Sequence, residues 1–478
     1  MPRGWVARGS CKVGKGVRSA RRLSDFVGLS WAVFRFRILF YCGEGLLVQE
    51  STPKNLLTNG CLRGLCLSQF TALVGTFALY FASMALVEEI THSSTQVGLM
   101  IFSSTLPGFI FGLIAGPFVD RHDRITVIKW GCILRVPIGI GFALAMYALP
   151  HSRAFILAIY LCNFLLSALA QFVISAEASV IPRFVTKEQL LGANSLFNLS
   201  SVISQGTGIV IVAPALLKIG GPVLVGLVSS FFFILSWGAV ARLPRVGPAP
   251  REEAPKVKNG LASAFSEMKE GWAFIAKDRF VWLAVLQTVF LSMSSLVVYT
   301  LAPGFANRIL GREVADIAFA AVPAGAGFVG GLMFISSRWG LKLSRQAWSC
   351  VGVFLFGGAL LAFALLSMVD GMHLAWALLA MVTAGFGYSL VIVTARTILQ
   401  ERPSPSMRGR IISTQMVLIN AASTLPMPLA GGLADLWGIQ QVLLVIALIV
   451  LSVAGLSSYY VYKTRAEVKS EMPPAAEV

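Results

Sequence analysis

Between the long apolar runs of this chain, positive charge is concentrated in alternate gaps. Twelve such runs lie at residues 65–87, 97–119, 125–149, 154–176, 198–219, 222–241, 280–301, 317–336, 347–369, 374–395, 411–434 and 442–461. Each supplies the roughly 20 apolar residues that a helix needs to cross a hydrocarbon core. None alternates with the period of two that marks a barrel strand, so helices, which satisfy their own backbone polar groups, are the spanning element. A composition of 56% hydrophobic and 13% charged residues suits a chain whose side chains mostly face lipid or one another. The fold class is all-α integral membrane, with twelve transmembrane segments numbered here in chain order.

The net charge of +17 would suit a nucleic-acid binder if it formed one patch. Its placement argues otherwise. Lys and Arg cluster at Arg121, Arg124 and Lys129, at Arg183 and Lys187, from Arg242 to Arg279, at Arg338, Lys342 and Arg345, at Arg402, Arg408 and Arg410, and at Lys463 and Arg465. These are the gaps after segments two, four, six, eight and ten, and the C-terminus. The intervening gaps hold Glu88 and Glu89, His151 and Arg153, Lys218, Arg308 and Arg312 against Glu313 and Asp316, and Asp370. The positive-inside rule puts both termini in the cytoplasm.

Residues 1–61 form a basic leader without a clean signal sequence, expected to be a disordered cytoplasmic tail or the product of a start codon assigned too far upstream. Within it, Gly9 to Lys15 has phosphate-loop spacing, but Gly16 occupies the position of the Ser or Thr that binds magnesium, and no strand precedes it. The first six segments span 62–241, a cytoplasmic linker spans 242–279, the second six span 280–462 and a tail spans 463–478. In the linker, Leu261, Phe265, Met268, Trp272 and Ile275 recur at helical spacing on a polar background, which predicts an amphipathic helix. The seven cysteines and four histidines show neither a disulfide framework nor metal-ligand spacing.

The halves resemble each other at an offset of about 220 residues: Thr95 to Leu99 opens segment two as Ala315 to Phe319 opens segment eight, and Ala176-Glu177 matches Ala395-Arg396. Two parallel six-helix repeats suit a carrier whose halves rock about a site between them.

Between segments two and three stands Gly116-Pro117-Phe118-Val119-Asp120-Arg121-His122-Asp123-Arg124. A carboxylate followed by arginines at a membrane face can build a charge network that holds one conformation. Here the chain resembles the major facilitator superfamily, whose loop at this place reads Gly-x-x-x-Asp-Arg-x-x-Arg; Gly116, Asp120, Arg121 and Arg124 fit. The Asp-Arg-x-Asp-Arg variant, the entry Thr91 to Leu99, the stretches Ile181 to Val185 and Gly192 to Ser195, and Arg408 to Arg410 with Gly431 to Asp435 are similar to the branch of macrolide and enterobactin exporters. Two departures stand out. Segment five has Ala213-Pro214-Ala215-Leu216 where exporters often carry Gly-Pro-x-x-Gly-Gly, and Gly75 is followed by Thr76 rather than an acid. No carboxylate is expected deep in a segment, so proton coupling is what the resemblance implies.

Segments four and ten line the cavity in that superfamily, which makes Glu177 and Arg396 a candidate cytoplasmic gate, with snorkelling of each charge to the headgroups as the alternative. Arg135, mid-way along segment three, costs roughly 2.5–3.5 kcal/mol on insertion scales and is expected to face the protein interior. Gln69, Asn163, Gln171, Gln287 and Tyr388 are candidate cavity-lining residues or interhelical bonds.

The resemblance implies export of a hydrophobic or amphipathic small molecule (drug, macrolide-like compound or siderophore) by alternating access, with proton antiport. The expected partners are that substrate, protons and the lipid bilayer, with no nucleic acid, no cofactor, no metal and no enzymatic activity. The expected form is a multi-pass monomer of the plasma (inner) membrane. Uptake by the same fold stays open, as do a non-transporting scaffold and a lipid-modifying membrane enzyme. The last would need clustered His, Asp or Ser chemistry that the sequence does not present.

Overall fold

The computed structural model describes residues 59–148, 152–186, 189–247, 260–309, 314, 318–337, 340, 343–368, 374–424 and 426–471. The leader up to residue 58, with its phosphate-loop-like stretch, the middle of the linker and the last residues of the tail lie outside these. Among the described residues there is no strand.

Segment one is Gly60–Thr91, segment two Ser94–Asp120, segment three Arg124–Ile133 continued by Arg135–Ala148, and segment four Arg153–Phe184. Among the described residues, ten helices are long and apolar enough to span a membrane, and one of them, Gly192–Ala241, has 50 residues. That is about twice the length a bilayer requires. It is broken at Gly220 and Gly221, the latter at φ 67°, where the left-handed backbone suits glycine. The break separates segment five, Leu190–Gly206 with a π-turn at Thr207–Val212, from segment six, which begins at Pro222. Segment eight is the shorter apolar helix Ala318–Ile335. The remaining segments are seven, Arg279–Gly304; nine, Arg345–Leu366; ten, Leu374–Glu401; eleven, Pro405–Thr424 and Pro426–Trp437; and twelve, Ile439–Glu471. Splitting the long helix and adding segment eight brings ten to the twelve read from the sequence.

Close helix contacts rather than apolar burial hold the bundles, because lipid is as apolar as leucine. In the first half a Cβ on Gly226 would stand 2.8 Å from the carbonyl oxygen of Gly139, and in the second a Cβ on Gly352 would stand 2.7 Å from that of Gly387. Separate clusters fill the two halves, one around Phe81, Phe142, Phe155 and Phe233 and another around Leu291, Phe356, Val391 and Leu443. Large apolar side chains such as Trp130, Leu144, Leu157, Trp376 and Leu456 are exposed, as a lipid-facing surface requires.

The linker helix is present as Gly260–Lys277. Ile275 is fully buried among Val281, Ala284, Ala395 and Ile411, Trp272 meets Trp282 edge-on at 5.7 Å, and Glu270 pairs with Arg410. The helix is thus docked on the ends of segments seven, ten and eleven. Ile275→Ala removes a buried side chain worth about 2–5 kcal/mol, so trypsin should cut the purified variant at Lys269 and Lys277 much faster than the parent.

Candidate functional site

Segment one continues past its apolar run. Glu88, read from the sequence as a gap residue, lies inside the helix with its side chain at 0% exposure. It lies in the last turn and not deep in the segment: the apolar pattern ends at the first charge, whereas the helix runs on to Thr91 because a partner in the other half takes that charge. His92, at φ 47° and ψ 36°, turns the chain sharply. Ser93 then starts segment two, its Oγ accepting from the Gln96 N–H at 3.4 Å. Glu88 and the N-terminus of segment two are thereby brought to one place.

The second half supplies the complement. Segment seven ends in a π-turn, Phe305–Ile309, that carries Arg308. A Cβ on Gly304 would stand 2.6 Å from Nη2 of Arg308, so only glycine leaves the guanidinium its place. Arg308 grips Glu88 with two bonds, Nε to Oε1 at 2.8 Å and Nη2 to Oε2 at 3.2 Å, and reaches Ser94 Oγ at 2.5 Å. Its Nη1 donates to Oδ1 of Asp435, near the end of segment eleven, at 3.1 Å. Asp435 also accepts from the backbone N–H groups of Ser94 (2.8 Å) and Thr95 (2.9 Å) and from the hydroxyls of Ser93 (2.7 Å) and Thr95 (2.6 Å).

Three physical effects converge here. The two-pronged guanidinium–carboxylate bond is among the stronger charge-assisted contacts. Asp435 satisfies N–H groups that a helix start leaves unpaired, and its negative charge sits at the positive end of the helix dipole. Backbones come close enough for this because a Cβ on Gly98 would meet the Met427 carbonyl at 2.8 Å and a Cβ on Gly431 would collide with the Ser94 carbonyl oxygen. All but the Arg308–Asp435 bond, which ties segments seven and eleven within the second half, run between the first half and the second. They close the Glu88 end.

The Asp120 end, at the far end of segment two, differs. Asp120 is exposed, with 58% of its side chain accessible, and pairs at 3.6 Å with Arg124 of its own half. Arg121 is exposed, and a Cβ on Gly116 would meet nothing within 4 Å. Arg124 is buried, with Nε and Nη1 unpartnered. Glu177 and Arg396 are not in contact: Glu177 is buried within the first half, in the field of Arg135, and Arg396 is exposed.

Arg135 is buried, as its position in the run implied. Gln287 acts as an interhelical bond, accepting from Ser349 at 2.5 Å and donating to Cys350 Sγ at 3.6 Å. Asn163 is buried and donates to the Ile159 carbonyl at 2.8 Å. Gln69 is buried, Gln171 is half-buried over Gly108 and Gly112, and Tyr388 is half-buried between Phe328 and Phe356.

The sequence reading missed Glu88, Ser94 and Arg308 as a site and noted Asp435 only within a motif. A signal was available: Glu88 and Arg308 are 220 residues apart, the offset of the internal repeat. At this repeat-equivalent pair the opposite charges meet across the two halves, whereas at Glu177 and Arg396 they do not.

With this geometry in hand, the chain can be set beside known proteins. The model of the Major Facilitator Superfamily matches residues 65–426. The chain belongs to the major facilitator superfamily. Among its relatives, the enterobactin exporter EntS of Citrobacter koseri is 28% identical over 367 residues, covering 74% of this chain and 81% of that protein. The EntS of Shigella boydii is 29% identical over 369 residues with the same coverage. Solved structures share the fold. A bacterial homolog of the human lysosomal transporter Spinster, inward-facing and unoccupied, has a TM-score of 0.62 at 14% identity, covering 89% of this chain and all of that one. A bacterial homologue of the iron transporter ferroportin, in an inward-facing state, has a TM-score of 0.62 at 17% identity, covering 83% and 98%. The protein is thus a multi-pass membrane transporter of this superfamily.

Proposed function

We propose that the protein exports an amphipathic small molecule of the siderophore class across the plasma (inner) membrane, in exchange for protons, and that the conformation described is closed outside and open to the cytoplasm. The observation that carries the state is the lock at the Glu88 end, set against an exposed Asp120 and an open Gly116 at the other. Both termini lie in the cytoplasm in this reading, which makes the Glu88 end external. The substrate class rests on the likeness to enterobactin exporters.

The repeat supports a second lock for the opposite state. Glu177 and Arg396 stand 219 positions apart in the sequence, the first acidic and the second basic, as Glu88 and Arg308 do at the other end. With the outer lock broken, Glu177 and Arg396 would close the cytoplasmic side, and the Asp120 loop would dock with them. Exactly one lock at a time is what alternating access needs.

Enterobactin retention in an efflux-deficient host tests the reading. Cells making the protein should retain several-fold less enterobactin than empty-vector cells, and a protonophore should abolish the difference. Unchanged retention would remove the siderophore assignment, and increased retention would reverse the direction.

A further inference from the structure

Segment seven begins beside the linker helix, and the join carries two outward-facing tryptophans. Trp282 is the fourth residue of segment seven; its neighbours Val281 and Leu283 are buried in the bundle, whereas Trp282 is 38% exposed. It looks away from the bundle at the level where the segment leaves the membrane. Tryptophan is enriched at that level, where its ring lies among lipid headgroups. Trp272 of the linker helix, 43% exposed, packs edge-on against it at 5.7 Å. The linker helix is thereby held at headgroup depth.

This helix has two faces. Gly271 and Ile275 are buried against the second half, and a Cβ on Gly271 would stand 2.8 Å from the Arg410 carbonyl oxygen of segment eleven. Lys269, Trp272, Ala273 and Ala276 are exposed and share a stripe, because residues three and four apart are neighbours on a helix surface. With two alanines in the stripe, nothing bulky keeps a headgroup from the helix. Lys277, also exposed, ends the helix.

Among the described side chains the net charge here is positive, since the acids are taken. Glu270 pairs with Arg410. Asp278 caps segment seven, accepting from the Phe280 and Val281 N–H groups at 2.9 and 3.1 Å, and pairs with Arg402 at 3.5 Å. Lys269 and Lys277 make no ion pair among the described residues. Their apolar stems can lie along the bilayer while the ammonium reaches the phosphates. A basic and aromatic stripe at headgroup depth matches anionic lipid, because a zwitterionic headgroup offers lysine no net charge.

We propose that this stripe, with the first turn of segment seven, is a binding surface for anionic phospholipid in the leaflet at the Asp120 end, which is the cytoplasmic leaflet in the orientation proposed above. The inference is independent of the substrate and of the direction of transport. Because Gly271 and the Glu270–Arg410 pair fix the helix to segment eleven, bound lipid travels with the second half when the halves move.

The test uses the full-length protein with its native cysteines replaced and a fluorophore on Ala273→Cys, in phosphatidylcholine nanodiscs containing a small fraction of lipid with a nitroxide quencher near its headgroup. The quencher is carried by phosphatidylglycerol in one sample and by phosphatidylcholine in the other. Each lysine near the surface favours anionic lipid by about fivefold, so phosphatidylglycerol should quench about fivefold or more efficiently than phosphatidylcholine. Added salt should lower that preference. In Lys269→Gln combined with Lys277→Gln the ratio should fall to about one, with quenching by phosphatidylcholine unchanged, since Trp272 still sets the depth. Absence of quenching by either lipid would place the helix clear of the bilayer and overturn the proposal. So would a ratio of about one in the parent, or the parent's ratio in the double variant. Loss of the preference on adding inorganic phosphate at constant ionic strength would assign the surface to a soluble anion, and overturn it as well.

Discussion

Arg308→Ala should convert a protein that rests closed at the Glu88 end into one that rests open there. Removing one partner of a buried ion pair costs about 3–5 kcal/mol, because the remaining charge is left uncompensated. Glu88 would be that charge, at 0% exposure in the closed state, and opening returns it to water. The balance between states should therefore move by about a hundredfold or more, since each ~1.4 kcal/mol is a factor of ten. A cysteine introduced at Ser94 should label slowly with a membrane-impermeant maleimide in the parent and rapidly in Arg308→Ala, while transport slows. The charge swap Glu88→Arg with Arg308→Glu should rescue little, because a carboxylate at 308 would lie beside Asp435, which Arg308 bonds at 3.1 Å.

Gly431→Val should abolish closure by a different route, leaving every charge in place. Its side chain would enter the space of the Ser94 carbonyl and the Thr95 backbone, and backbone has little room to give. Segments two and eleven would be held apart, and the four bonds from Ser93, Ser94 and Thr95 to Asp435 would be lost together. Transport should fall to background while membrane insertion and thermal stability stay near the parent's, since the glycine packs against the other half and not within its own. Gly432→Val, one residue on, is the control. A Cβ there would meet only Thr95 Oγ1 at 3.8 Å, so activity should survive.

Much of the fold could be read from the sequence because the membrane imposes it. Apolar runs of spanning length and alternating positive gaps leave few architectures, and the twelve segments follow from them. The ends of segments were less legible. The run at 65–87 stops at Glu88 because hydropathy changes there, yet the helix continues to Thr91, since Arg308 from the other half makes the burial of Glu88 possible. Segment eight is short, and its expected opening lies outside the described residues. Asp435 and Asp120 are both the last residue of a Gly-x-x-x-Asp sequence near the C-terminal ends of segments eleven and two, one at the Glu88 end and the other at the opposite end of segment two. Local pattern shows the two motifs equally. It does not show which is engaged, because that depends on the state of the cycle. Gln287 illustrates a further limit: a buried amide in a segment serves substrate or neighbour equally well by sequence, and its bonds to Ser349 and Cys350 assign it to the neighbour.

The central claim, that the two ends open and close in opposition, is tested most directly by paired electron spin distances in lipid nanodiscs. One pair of nitroxides is placed at Glu89 and Leu436, flanking the lock, and the other at His122 and Arg408, across the opposite end, each with the native cysteines replaced. Arg308→Ala should lengthen the first distance and shorten the second in the same sample. Lengthening of the first with no change in the second, or movement of both in the same sense, would contradict alternating access through this lock.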